Sequence, residues 1–448
     1  MANIGVRTRL LDRLVRLSPP ALLASLYLIV ILLGAALLSL PFANTGGVSI
    51  YDALFTSTSA VTVTGLVVVS TGQDFTLIGQ VVIALLIQFG GLGLMTFAVF
   101  VLSAIGVKIG LGQRLILRED LNQSSIGDLI KLVRVILVVA LTCEAGGAVL
   151  LLAVFVPDLG WAEGTWYAIF HAISAFNNAG FGLDDQSLIP WAAHPLINFV
   201  IPLLFIVGGL GFVVLADIYD SRNWRQLSLH TKIMLYGSVC LILIGWLTFA
   251  LLEWTNPATL GELNLWGKIT ASWFQAVTPR TAGFNTINTG EMHDATALMT
   301  MTLMLIGGGS TSTAGGIKVT TAIVLVLATI AFFRKSTELN AFGRSLGLEE
   351  VMKVLALTVV SILIVFVALF VVSITHDGTF LTLAFEVVSA FGTVGLSMGA
   401  TGDLDTVGRA MIMVVMFLGR VGPLTLGFFL ATHSVARVRY PKGRVYLG

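Results

Sequence analysis

A segment of twelve residues, Phe55-Thr-Ser-Thr-Ser-Ala-Val-Thr-Val-Thr-Gly65-Leu66, returns along this chain at nearly fixed intervals. It recurs as Phe170-His-Ala-Ile-Ser-Ala-Phe-Asn-Asn-Ala-Gly180-Phe181 and as Phe385-Glu-Val-Val-Ser-Ala-Phe-Gly-Thr-Val-Gly395-Leu396. A looser copy, Gln275-Ala-Val-Thr-Pro-Arg-Thr-Ala-Gly283-Phe284, carries two extra residues, read as Pro279-Arg280. The four glycines stand 115, 103 and 112 residues apart, so four units account for nearly all 448 positions. Each copy is short, semi-polar, closed by glycine and set between two long apolar runs. Non-helical backbone at membrane depth persists only where it is buried in protein or lines water. The pattern therefore predicts an all-α integral membrane protein of four tandem helix–pore segment–helix repeats. Its eight spanning helices and four re-entrant pore loops would surround one pseudo-fourfold pore.

Composition supports a membrane setting. Apolar residues form 56% of the chain and charged residues 11%, against roughly 25% charged in soluble proteins. Stretches such as 21–51 and 195–216 carry no charge and reach the ~20 residues that cross a bilayer core. A net charge of +1 gives no footing for nucleic acid. Cys143 and Cys240 lie inside apolar helices and read as packing residues. Four arginines precede Pro19-Pro20 and a helix too long for a signal h-region, so no cleavable signal is expected.

The predicted units are 1–118, 119–225, 226–340 and 341–448, here called A to D. Unit A reads as a helix over 21–42, a pore segment over 51–66 and a second helix over 76–105. The same three elements fall at 130–156, 164–181 and 194–219 in B, and at 231–254, 266–284 and 294–333 in C. In D they fall at 350–374, 379–396 and 406–436. Twenty of the twenty-five Lys and Arg lie at the termini or between units, including Arg7, Arg16, Lys108, Arg222, Arg225, Arg334, Lys335 and Arg444. The pore-segment side carries acids, among them Asp52, Asp74, Asp184, Asp185, Glu262 and Asp403. The positive-inside rule places both termini in the cytoplasm and brings the pore segments in from outside.

A dehydrated cation needs a ring of oxygens, and backbone carbonyls supply one without a fixed charge. Aiming successive carbonyls at one axis requires backbone angles that glycine tolerates. The candidate ion ligands are Thr62, Val63, Thr64 and Gly65 in A, and Asn177, Asn178, Ala179 and Gly180 in B. Arg280, Thr281, Ala282 and Gly283 stand in C, and Gly392, Thr393, Val394 and Gly395 in D. Glycines that merely pack helices are the bland alternative, weakened by four copies at one period.

A second glycine cluster follows each copy: Gly90-Gly91-Leu92-Gly93, Gly208-Gly209-Leu210-Gly211, Gly307-Gly308-Gly309 and Gly419-Arg420-Val421-Gly422. The third runs on as Ser310, Thr311, Ser312, Thr313, Ala314, Gly315 and Gly316. Such a stretch holds no regular helix. In mid-membrane it is expected to line the water path as a gate; a kinked packing helix is the alternative. Arg420 aligns with Gly91 and Gly209 in an apolar helix, where an arginine costs roughly 2.5–3.5 kcal/mol on insertion scales. It is expected to face the pore or a buried acid such as Glu144 or Glu386; bracing the carbonyls of the gate loop is the other reading. Lys318 reads as snorkelling to the cytoplasmic interface. His171 and Glu386 read as hydrogen-bonding groups, since no metal-spaced cluster exists. The sequence carries no phosphate loop, zinc motif or catalytic triad, so no enzyme is predicted.

With these residues the chain resembles the Trk/Ktr/HKT superfamily of cation transporters, and within it the KtrB-type bacterial potassium-uptake subunits. The likeness covers essentially the whole chain. It includes Ser-Ala-Phe-Asn-Asn-Ala-Gly-Phe (174–181), Thr-Pro-Arg-Thr-Ala-Gly-Phe-Asn (278–285) and Ser-Ala-Phe-Gly-Thr-Val-Gly-Leu (389–396). Gly-Arg-Val-Gly-Pro-Leu-Thr (419–425) and the tail 440–448 belong to it too. The resemblance implies K⁺ uptake across the bacterial cytoplasmic (inner) membrane, with Na⁺ as an activator. It also implies a homodimer, residues 307–316 as an intramembrane gate, and a cytoplasmic RCK-type ring of KtrA-type subunits. No cofactor is expected in this chain: ATP or ADP is expected on the partner, and no nucleic acid takes part. The leading helices of the longer Trk-type relatives are expected to be absent. A carrier coupling K⁺ tightly to Na⁺ or H⁺ is the alternative, and an intramembrane enzyme or non-conducting scaffold is the reading from another class.

Overall fold

The computed structural model describes residues 19–93, 129–221, 223–336 and 338–422. The structure is mostly helical. In unit A, α1 (Pro19–Leu38) leads to the short α2 (Ile50–Val61) and to α3 (Leu77–Leu92). In unit B, α4 (Leu129–Phe176) runs through a bend at Gly160 and is followed by α5 (Pro195–Leu210) and α6 (Phe212–Ser221). Unit C supplies α7 (Leu229–Glu253), α8 (Leu265–Val277), α9 (Asp294–Leu305) and α10 (Val319–Phe333). A hairpin of β1 (Leu339–Ala341) and β2 (Arg344–Leu346) precedes α11 (Leu348–Thr375), α12 (Phe380–Gly392) and α13 (Thr406–Val421).

Polar caps set where the short helices begin. Ser49 and Asp52 form a reciprocal capping box on α2. Asn264 caps α8 through Gly267, Thr379 caps α12 through Thr382, and Asp405 caps α13 through Val407 and Gly408. Each cap satisfies backbone N–H groups that the first turn leaves open. The Gly408 N–H in particular holds the Asp405 carboxyl below the usual carboxylate range.

By length and composition, four described stretches can cross a bilayer: 21–38, 133–176, 229–253 and 348–375. The bent pair α5–α6 makes a fifth if taken as one span. Their outward faces are apolar, as at Leu28, Leu32 and Leu33 on α1 and Phe366, Phe370 and Ile374 on α11. Inside, α2 buries Thr56, Ser57, Thr58 and Ser59. Oil outside and hydroxyls inside is the arrangement of a chain solvated by lipid.

The units close into a ring. α3 packs on α4, α5 on α8, α9 on α12, and α13 returns to pack on α2. At that last seam Arg409 pairs with Asp52 at 3.0 Å, and the Tyr51 hydroxyl donates to the Thr406 carbonyl.

Three helices drawn as continuous in the sequence analysis end early. The runs over 76–105, 194–219 and 406–436 stop at Gly93, Gly211 and Gly422, whose φ values of 85°, 102° and 92° cannot continue a helix. After Gly211 the chain turns by 89° into α6. The run over 294–333 divides at residues 306–318, the stretch expected to be irregular. In unit B the break drawn at 157–163 is instead a bend, with helix on both sides of Gly160 (φ 82°, ψ 172°). The N-terminal arginines, residues 94–128, Arg222 and the tail lie outside the described residues.

Candidate functional site

Each of the four repeated segments contains the same pair of left-handed residues. They are Val63 and Gly65, Asn178 and Gly180, Thr281 and Gly283, and Thr393 and Gly395, with φ between 50° and 92°. Alternating left-handed residues turn successive peptide planes the same way. Glycine adopts this freely, but valine and threonine do not, so three of the four segments hold a strained β-branched residue. The strain is fixed by hydrogen bonds to the end of the helix that precedes each segment. Thr64 N donates to Ser59 O at 2.8 Å, Ala179 N to Ser174 O at 2.8 Å and Val394 N to Ser389 O at 2.9 Å. In unit C, Ala282 N donates to Thr278 O at 2.9 Å. The serines do more: Gly65 N and Gly395 N also donate to Ser59 Oγ and Ser389 Oγ, at 3.0 and 3.1 Å. Sequence reasoning missed these serines, although one stands six residues before the glycine in three copies.

The four segments meet. A Cβ built on Gly65 would lie 2.4 Å from the Ala179 carbonyl oxygen, and one on Gly180 would lie 2.9 Å from that of Ala282. On Gly283 it would lie 2.2 Å from the Val394 oxygen, and on Gly395 2.1 Å from that of Thr64. Each glycine thus faces the carbonyl just before the next unit's glycine, in the closed order A, B, C, D, A. Any side chain would enter a ring of backbone.

In units A, B and C the first residue of the quartet turns its side chain elsewhere; in D it is Gly392. Thr62 Oγ1 donates to Thr58 O at 2.7 Å, and Arg280 reaches Ser238 on α7 at 3.1 Å. Asn177 donates to Glu144 at 3.1 Å and to Gln88 Oε1 at 2.8 Å, while Gln88 donates to both Glu144 oxygens. Glu144 is therefore held by amides behind the ring, not by an arginine. Glu386 accepts from Ser397 Oγ and Met398 N at 2.7 and 2.8 Å, and also from Thr401. His171 is enclosed by Phe155, Tyr167, Phe170 and Phe284. Among the described residues no group of three His, Cys, Asp or Glu could hold a metal.

Residues 307–316 lie directly against the ring. A Cβ on Gly315 would stand 2.2 Å from Thr393 Oγ1, and one on Gly307 3.3 Å from Thr281 Cγ2. The loop hangs on backbone from three units. Gly307 N donates to Ile317 O at 2.8 Å, and Gly309 N to Gly209 O at 2.7 Å. Thr313 N donates to Gly208 O at 3.3 Å, and Phe212 N to Thr311 O at 2.9 Å. Inside the loop, Ser312 Oγ donates to Gly309 O at 2.7 Å and accepts from Ala314 N at 3.1 Å. Gly308 and Gly309 permit the approach, since a Cβ on either would strike the carbonyl of Gly209 or Leu210. Ser310, Thr311 and Ser312 are part-exposed, whereas Thr313, Ala314, Gly315 and Gly316 are buried.

Two cations hold this loop. Arg420 donates to the carbonyls of Thr313, Gly90 and Gly91, so it braces carbonyls and pairs with no acid among the described residues. Lys318 does not snorkel: its Nζ turns back to the Ala314 carbonyl at 2.6 Å. The contacts of Arg420 are those of its bracing reading; the partner of Lys318, a carbonyl, leaves no trace in sequence.

Residues 30–435 match the TrkH family of cation transport proteins. The chain is 49% identical to the Ktr system potassium uptake protein B of Bacillus subtilis, over 97% of this chain and 98% of that protein. It is 44% identical to the protein of that name from Vibrio alginolyticus, over 96% and 95%. With the potassium/sodium uptake protein NtpJ of Enterococcus hirae it shares 40% identity over 97% and 98%. Its fold is that of the potassium transporter TrkH of Vibrio parahaemolyticus, at a TM-score of 0.75, 20% identity, and coverage of 93% and 86%. Spanning helices, a backbone ring and a glycine loop beneath it thus sit on a sequence matched almost end to end, and the chain belongs to the TrkH family of cation transport proteins, as a multi-pass membrane protein.

Proposed function

We propose that this chain takes up K⁺ across the bacterial cytoplasmic membrane through a channel-like pore, with the glycine ring as filter and residues 307–316 as gate. One observation carries the reading: four carbonyl-bearing segments, each with the same left-handed pair, close on one another around a ring. Neutral oxygens at a fixed radius replace a hydration shell without trapping the ion. The names of the relatives supply potassium as the cargo. The potassium/sodium name of the Enterococcus hirae protein favours sodium as an activator.

In this reading units A to D each contribute one pore loop and two spanning helices, and both termini are cytoplasmic. The protein works as a homodimer on a ring of nucleotide-binding RCK subunits, in keeping with the word "system" in its relatives' names. Arg225, Arg334 and Lys335 are exposed on the side assigned to the cytoplasm. Arg420 adds a barrier: a unit charge about 8 Å from K⁺ at an effective dielectric near 20 repels by about 2 kcal/mol.

A tightly coupled symporter is the second reading, favoured by one buried carboxylate, Glu144, behind the ring. Purified protein in liposomes separates the two. A pore gives K⁺ flux that follows the K⁺ electrochemical gradient with Na⁺ and proton gradients collapsed. A symporter stops when those gradients are removed.

A further inference from the structure

Asn178 is the left-handed residue of the unit B segment, and its counterparts are Val63, Thr281 and Thr393. Unit B alone therefore places an amide at this position. The side chain is buried and both of its ends are engaged. Nδ2 donates to Thr281 Oγ1 at 3.2 Å, across the boundary to the unit C segment. Oδ1 accepts from Thr313 Oγ1 at 2.7 Å, in the loop. Gly208 and Gly209 leave room for the amide, since a Cβ on them would stand 3.1 and 3.4 Å from it. An amide offers a donor and an acceptor on opposite arms of one plane. Val63 offers neither, and the Thr393 hydroxyl is buried without a partner among the described residues.

We propose that Asn178 is a specificity-determining residue that ties the shape of the ring to the position of the loop. The inference rests on reading the ring as the ion filter and 307–316 as the gate. Because the amide is planar, seating Oδ1 on Thr313 aims Nδ2 at Thr281. Thr281 is β-branched at φ 72°, a conformation that needs outside support. When the loop leaves the path, Thr313 leaves with it and the amide is free to turn. The unit C segment then loses a donor, and the ring becomes adaptable on one side, between B and C. Discrimination between ions is thereby linked to opening. Arg420 and Lys318 act on the carbonyls of Thr313 and Ala314, and the Thr313 hydroxyl goes to Asn178.

The test is the ratio of rubidium to sodium tracer flux in proteoliposomes. It compares wild type with Asn178→Ala, Thr281→Val, Thr313→Val and the double variant Asn178→Ala/Thr313→Val. Thr313→Val, outside the ring, is expected to lower the ratio by about three- to tenfold, the worth of roughly one neutral hydrogen bond. Asn178→Ala should lower it at least as far, and the double variant no further than Asn178→Ala, as for residues acting as one unit. The two valine variants are isosteric and carry the test should Asn178→Ala fail to fold. An unchanged ratio in Thr313→Val, or full additivity in the double variant, overturns the link while leaving the filter reading intact. A wild-type protein without preference for rubidium overturns the filter reading, and this proposal with it.

Discussion

The guanidinium of Arg420 joins the carbonyl of Thr313, in the loop of unit C, to the carbonyls of Gly90 and Gly91 at the end of α3. One side chain on α13 thus clamps a loop to a helix more than 300 residues away in sequence. Hydrogen bonds from a charged group contribute about 1.5–3 kcal/mol each to such a contact. Arg420→Ala should free the loop and raise basal K⁺ flux about tenfold or more in vesicles lacking any cytoplasmic partner, since 1.4 kcal/mol is a factor of ten. Arg420→Lys, with a single point of attachment, should fall between. Lower flux from well-folded Arg420→Ala would show the arginine to be a scaffold rather than a clamp.

Deleting Ser310–Ala314 removes the hydroxyl run and the carbonyls that Arg420 and Lys318 hold. Flux should rise and lose its dependence on the partner ring. Poor expression without any gain in flux would point to packing instead.

Gly65→Ser places a Cβ at φ 87° beside the Ala179 carbonyl oxygen, 2.4 Å away before relaxation. The ring must shift at the A–B boundary. Rubidium uptake should become more sensitive to competing sodium, with dimer assembly near normal on size-exclusion chromatography. Uptake and sodium inhibition that both match wild type would remove Gly65 from the filter.

Glu144 accepts from Gln88 and Asn177 and meets no cation among its described partners. In a pore its charge is dispensable, so Glu144→Gln should keep K⁺ flux within about threefold, under one kcal/mol. A proton-coupled carrier predicts something else: loss of the response to a pH gradient in the variant.

Neutralising Arg222, Arg225 and Arg334 together should abolish co-purification with a nucleotide-binding ring encoded alongside this chain. Arg225 and Arg334 are exposed beside Trp224 and Phe333, which are 52% and 79% exposed. Retention of the complex would assign those charges to lipid headgroups.

The ring was legible because its backbone needs a residue without a Cβ at one fixed place, and that requirement leaves Gly65, Gly180, Gly283 and Gly395 in the sequence. Residues 307–316 were legible because nine glycines and hydroxyl residues around one alanine cannot sustain a helix. The ends of α3, α5 and α13 were not, since glycines in an apolar run also serve close helix packing. Gly93 and Gly211 carry no mark that separates them from Gly91 and Gly209; only their φ does. Bracing of the loop carbonyls was legible as one of two readings of Arg420, whereas Lys318 read as snorkelling, because every residue offers a carbonyl and none marks itself as a ligand.

The seam between α13 and α2 is also a matter of timing. Arg409 and Asp52 lie 357 residues apart, and ribosomes add about 5–20 residues each second. The polar face of α2, with Thr56 to Ser59, is therefore made roughly 20–70 s before the helix that covers it. Until the fourth unit is made, the other three segments form an open arc, and an arc has no lumen. If the ring is the proposed ion path, a cell building this protein would gain its conduit only when the fourth unit arrives and the circle is drawn shut.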